Sequence, residues 1–210
     1  MQAYHFLKAD MTSGSGSEPP WIVGETRTIK GRLALCERGY HSSPTPWDAV
    51  QYATGAMLCL VEISKPTQTD SNKQVSHTRT LLRAANVERE LHILACRVAE
   101  DVLPLFEKEF PHDMRPRHAI EAKRKWLNGG ATDEELAAAS DAAWAASCAS
   151  AASATWAASA AAWAAWDASA ASAAGAASDA TSAAWGASAA RGARAASAAR
   201  GARAASAASA

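Results

Sequence analysis

The side chains best suited to chemistry gather between Gly39 and Ile63. Gly39-Tyr40-His41-Ser42-Ser43 is followed by a proline-led segment ending near Tyr52, and then by the apolar run Met57–Ile63. A glycine that lets the backbone turn, a short strand, a helix ending in tyrosine and a buried strand together make a plausible pocket wall. His41 is the general-base candidate by residue type, since an imidazole changes charge near neutral pH. The plainer alternative is a histidine hydrogen-bonded within a turn. Tyr40, Ser42 and Tyr52 complete this ligand-binding set. A second pair, Arg115 and Arg117, is placed at a corner between helices as a partner contact, although Arg117 is also spaced to pair with Glu121 one helical turn on. Phosphate-loop, zinc-protease, nucleophile-elbow and dinucleotide fingerprints are absent from the sequence. The six histidines are scattered, and Cys36, Cys59, Cys96 and Cys148 form no CxxC pair. Reduced thiols are therefore expected, and no metal, cofactor or catalytic residue is assigned.

These residues need elements to hold them. Ala3–Leu7 reads as a strand, and Thr12–Pro20, rich in Ser, Gly and Pro, as a long loop that is either mobile or closes over something. Trp21–Val23 is expected to begin a strand, with Gly24-Glu25 as its turn; Thr26–Ile29 and Leu33–Cys36 are further extended segments. Thr45 as N-cap and Pro46 in the first turn open a short helix through Ala53. Val75–Leu82 is expected as one strand, with Ser76, Thr78 and Thr80 opposite Val75, His77, Arg79 and Leu81. The composition changes near residue 86. Leu91, Leu94, Val98, Val102, Leu105 and Phe106 then mark one helical face, which Pro104 should kink or divide. A second helix spans Arg117–Leu127, with Ala119, Ile120, Ala122 and Trp126 inward, and stops at Asn128-Gly129-Gly130. Thr132 and Glu135 form a capping box for a third.

The tail, 137–210, holds 42 alanines in 74 residues, so the 49% hydrophobic content overstates the core. Non-alanine residues recur mostly every third position, and Ser-Ala-Ala-Arg-Gly-Ala-Arg-Ala-Ala occurs twice, from Ser188 and from Ser197. A triplet step drifts back about 60° per repeat on an α-helix, which spreads serine over every face. Alanine still favours helix, and small side chains let helices approach closely. Trp144, Trp156, Trp163, Trp166 and Trp185 fall within a sector of about 140° on an ideal helix. They either pack on the preceding helices or form an aromatic strip, in which Trp156 and Trp163 are the partner-contact candidates. Lys plus Arg and Asp plus Glu both total 21, so no charge excess directs the chain toward nucleic acid or an anionic membrane. Nor does any apolar run have the length of a membrane span.

Three resemblances follow from these residues. Residues 1 to about 85, through Lys8, Asp10, Cys36, Gly39-Tyr40-His41, Pro46, Asp48-Ala49 and Tyr52, resemble an uncharacterised N-terminal domain of phage and bacterial proteins. Residues 88–150 resemble an immunity-protein helical family through Glu90-Leu91, Ala95-Cys96, Ala99-Glu100, Val102 to Glu107, Arg115-Pro116-Arg117 and Ala119 to Ala122. More loosely, Gly39–Ser42, Ala49, Tyr52 and Leu58–Glu62 are similar to the central block of ADP-ribosyltransferases of the His-Tyr-Glu type. That last likeness implies that His5, on the first strand, holds a ribose and that Tyr52 stacks on nicotinamide.

The expectation is thus an α+β protein: a small mixed domain over 1–86 and an all-helical, immunity-like domain over 87–210. It is expected to be a non-enzymatic binding protein of a bacterial host-cell cytoplasm, without cofactor, acting by contact with an unknown protein or a small nucleotide-like ligand. Membrane is excluded, nucleic acid is disfavoured, and the helical half is a candidate for self-association. The alternative is an ADP-ribosyltransferase-like domain that binds or cleaves a nicotinamide or nucleotide ligand.

Overall fold

A computed structural model describes residues 1–14 and 17–151, with 161, 164, 165, 168, 182 and 189. The fold is mixed α+β, and the first of two compact units comprises Met1–Leu91. Its elements are β1 (Gln2–Leu7), β2 (Thr26–Thr28), β3 (Tyr40–Ser42), α1 (Pro46–Val50), β4 (Met57–Ile63), β5 (Gln68–Thr69), β6 (Gln74–Ser76) and β7 (Thr78–Asn86). Four strands form one antiparallel sheet in the order β1-β4-β7-β2, and three form another in the order β3-β6-β5.

Two features join these sheets. Tyr4 of β1 and Ser43, just past β3, exchange backbone hydrogen bonds of 2.9 and 2.8 Å. The expected strand Val75–Leu82 is in fact two strands in different sheets, with the step at His77. Polar groups hold that step. Ser76 Oγ donates to the Thr78 carbonyl at 3.1 Å, Thr78 N–H donates to Ser64 Oγ at 3.2 Å, and His77 Nδ1 lies 2.9 Å from the Ile29 carbonyl. Alternation along β7 aims Arg79 and Leu81 inward, whereas all three residues of β6, Gln74, Val75 and Ser76, are buried. The core beneath gathers Ala3, Leu7, Trp21, Tyr40, Cys59, Val61, Ile63 and Leu81. Burial of each larger apolar side chain contributes roughly 1.5–3 kcal/mol.

Two other strand expectations are corrected. Trp21–Val23 is irregular chain: the Trp21 N–H donates to the Met11 carbonyl at 2.9 Å, and only its ring enters the core. Leu33–Cys36 is a tight turn closed by an Ala34–Arg38 bridge, and Cys36 holds φ at +70°. The helix signal was sound but shorter, since Thr45 Oγ1 caps α1 by accepting from the Asp48 N–H at 3.1 Å and the helix ends at Val50.

The second unit begins at His92, within helix α2 (Glu88–Glu109), and continues through α3 (Arg115–Leu127) and α4 (Asp133–Ala151). Pro104 does not divide α2. Its ring is exposed, and the buried stripe runs through Ala95, Cys96, Ala99, Val102, Leu103 and Phe106. Leu94, Val98 and Leu105 are only half-buried, because small Ala and Cys residues take the centre of the face. Lys123, not Ala122, joins Ala119 and Ile120 on the buried face of α3, with its ammonium 4.4 Å from the Trp126 ring centre. Glu100 and Glu107 of α2 take two-pronged hydrogen bonds from Arg124 and Arg117 of α3. Gly129 at φ +72° ends α3, and the expected capping box opens α4: Thr132 N–H donates to Glu135 Oε2, and Glu135 N–H donates to Thr132 Oγ1. On α4, Leu136, Ala143 and Ala146 form the buried face.

Candidate functional site

Strands β1 and β3, the start of the loop before Trp21, the turn at Cys36 and the inner face of β7 enclose a cleft of about 690 Å³ within the first unit. All five ligand-binding candidates, His5, Tyr40, His41, Ser42 and Tyr52, line it, together with Glu18, Cys36, Lys73 and Arg79. Gly39 makes the approach to β3 feasible. It sits at φ +128°, and a Cβ there would fall 2.4 Å from Val75 Cγ2.

Arg79 dominates the electrostatics. The residue is only 3% exposed, yet among the described residues its guanidinium makes one hydrogen bond, Nη1 to the His41 carbonyl at 3.1 Å, and no ion pair. Aromatic faces support it instead, with the guanidinium carbon 4.4 Å from the Trp21 ring centre and 5.0 Å from that of Tyr40. Trp21 and Tyr40 meet edge to face at 5.6 Å. Arg27 covers Trp21 as well, at 4.2 Å, while donating to Glu25 and to the carbonyls of Pro19 and Pro20. Burial depresses the Arg79 pKa to about 10. His5 is held well below the ordinary histidine range, by burial first and then by the charges of Arg79 and His41. His5 Nε2 and Ser42 Oγ are sealed from solvent without a hydrogen-bond partner.

His41 is not placed to act as a general base. Its Nε2 accepts the Cys36 N–H at 2.8 Å, so the lone pair that would take a proton is already engaged in a turn. Burial, followed by the charge of Lys73, lowers its pKa. At the rim, Lys73 Nζ lies 2.8 Å from Cys36 Sγ and 4.4 Å from the Tyr52 ring centre. Tyr52 stays 42% exposed, and its hydroxyl donates to Asn72 Oδ1 at 2.7 Å.

The comparisons bear on this unit. Residues 1–93 match a domain of unknown function (DUF7666). An uncharacterised domain was expected here, and the match carries it past residue 85 and takes in every residue lining the cleft. No curated protein and no solved structure matches the chain.

The other candidates lie beyond that span. Arg115 grips Asp113 through two hydrogen bonds of 2.8 and 2.6 Å and borders an open depression lined by residues 109–115 and His118. Arg117 pairs with Glu107 at 2.6 and 2.8 Å in place of the expected partner, Glu121, because the α2 carboxylate offers both oxygens to the guanidinium fork. Trp156 and Trp163 fall outside the described residues; Trp144 is described and is exposed. Among the described residues no cluster of His, Cys, Asp and Glu could hold a metal ion, and no helix is long and apolar enough to cross a membrane.

Reasoning from sequence missed Arg79, Trp21, Glu18 and the Cys36–Lys73 pair. For Arg79 the signal was present: the alternation that put Val75 and Leu81 inward put an arginine on the same face. A charge at a core position of a strand is a site signal in its own right.

Proposed function

We propose that the first unit is a non-enzymatic binding module whose cleft takes a small, nucleotide-like ligand. The observation that carries this reading is that three residues with unmet hydrogen-bonding capacity, Arg79, His5 and Ser42, all line one walled space of ligand size. Buried polar groups are normally satisfied, and a set that is not satisfied within the protein is suited to a ligand. Aromatic surface from Tyr40 and Tyr52 supplies the apolar part of the wall.

Thermal-shift measurement of the full chain against nucleobases, nucleosides and nucleotides tests it. A ligand at about 100 times its Kd should stabilise the unit by about 2.7 kcal/mol. The shift should shrink in Tyr52→Ala, whose ring is exposed and outside the core. Absence of any shift across the panel would leave only contact with a protein.

A second reading, an ADP-ribosyltransferase-like domain, is favoured by one observation: His5 and Tyr52 do line the same cleft. Cleavage of a glycosidic bond would need a carboxylate to steady the developing positive charge. Strands β6 and β7 carry none, and the carboxylates of the cleft wall are Glu18 and Glu37, both outside strands. Release of nicotinamide from NAD by the wild-type chain, abolished in Glu18→Gln or Glu37→Gln, would establish this reading in place of the first.

For the helical unit, the proposal is contact with a protein partner in a bacterial host cell, as an immunity or phage–host conflict protein. It is supported by the resemblance of residues 88–150, with Arg115 and Arg117 partly exposed on α3. Self-association is the alternative use of this half, and sedimentation of the full chain over a hundredfold concentration range separates the two.

A further inference from the structure

A guanidinium has five N–H donors, and among the described residues Arg79 gives one of them, to the His41 carbonyl. A buried charge without a direct ion pair is costly, and stacking on Trp21 and Tyr40 offsets only part of that cost. No described carboxylate pairs with Arg79 directly, although the charge of Glu18 acts on it from the same cleft wall. Glu25 is committed to Arg27, and Glu18 approaches Arg27 at 3.9 Å without forming an ion pair with Arg79. Lining the cleft with Arg79 are Ser42 on β3, next in sequence to the residue whose carbonyl Arg79 holds and with an unpartnered hydroxyl, and His5 on β1, whose imidazole feels the Arg79 charge.

We infer that Arg79 marks an oxyanion subsite inside the cleft, so that the ligand carries a phosphate group there. This rests on the reading of the cleft as a small-ligand site and specifies what that ligand must bear. The three groups are carried by three different strands, β7, β3 and β1, and so offer an anion more than one point of contact. Such an array suits a tetrahedral phosphate better than a planar carboxylate, which one arginine fork satisfies alone. Glu18 is the opposing element: its carboxylate lines the same wall, repels an incoming anion and competes for the same positive field.

The test uses the full chain, with inorganic pyrophosphate, ADP and adenosine as probes at constant ionic strength. Pyrophosphate should raise the thermal midpoint where sodium chloride of equal ionic strength does not. ADP should bind at least tenfold more tightly than adenosine by calorimetry. Glu18→Gln, on an exposed loop where folding is not at stake, should tighten pyrophosphate binding several-fold. Arg79→Lys should weaken it tenfold or more with the far-ultraviolet circular dichroism unchanged; should that variant not fold, the wild-type and Glu18→Gln arms decide alone. Adenosine binding as tightly as ADP, with Glu18→Gln and pyrophosphate both without effect, overturns the subsite and leaves the cleft reading standing. No binding of charged or uncharged probes overturns both.

Discussion

Gly39 is the residue on which the cleft wall turns. At φ +128° any side chain strains the backbone, and a methyl group would also collide with Val75. Gly39→Ala should cost ~1–3 kcal/mol from the backbone alone, read as a lowered thermal midpoint. Cys36 sits in the left-handed region at φ +70°, with the Lys73 ammonium against its sulfur. The glycine-tyrosine-histidine step was legible because its residue types are uncommon together. The lysine that meets Cys36 lies 37 residues away, on the turn before β6, and spacing along the chain carries no trace of such a meeting.

Among elements, those with local determinants were legible: β1, β4, α1 with its Thr45 cap, and α4 with its reciprocal box. Those fixed by distant partners were not. Trp21–Val23 has strand-like residues, yet it joins neither sheet: the Trp21 N–H donates to the Met11 carbonyl, and two arginines stack on its ring. Pro104 gives the opposite lesson, because a residue that normally breaks helices is accommodated on the exposed side of α2. A proline inside a helix forfeits one backbone hydrogen bond and crowds the preceding turn. Pro104→Ala should accordingly stabilise the helical unit by ~1–3 kcal/mol, measurable as a higher midpoint in the helical signal at 222 nm.

At the scale of the whole molecule, two buried histidines bias stability toward neutral pH. Burial, then the charge of Lys123, lowers His92 to about 4, and both its ring nitrogens lack a partner. His5 is shifted in the same direction. In the unfolded chain each would titrate near 6.5. Between that value and about 4 the unfolded state binds the extra protons, so stability is fully retained above pH 6.5 and declines as the pH falls through this window. The thermal midpoint should drop between pH 7 and pH 5, and His92→Leu should flatten the slope; an unchanged midpoint in the wild type would contradict the burial of these rings. The mixed head and the start of a helical body were readable from the shift in hydrophobic period near residue 86. The convergence of β1, β3 and β7 on one cleft was not, because it depends on which sheet each half of a single run joins. That run, Gln74 to Asn86, leaves one sheet and enters the other within the width of His77. Adding or deleting one residue there would turn β7 over against β6, moving Arg79 and Leu81 off the buried face. The segment should therefore accept many replacements of side chain but no change of length, as a hinge pin does.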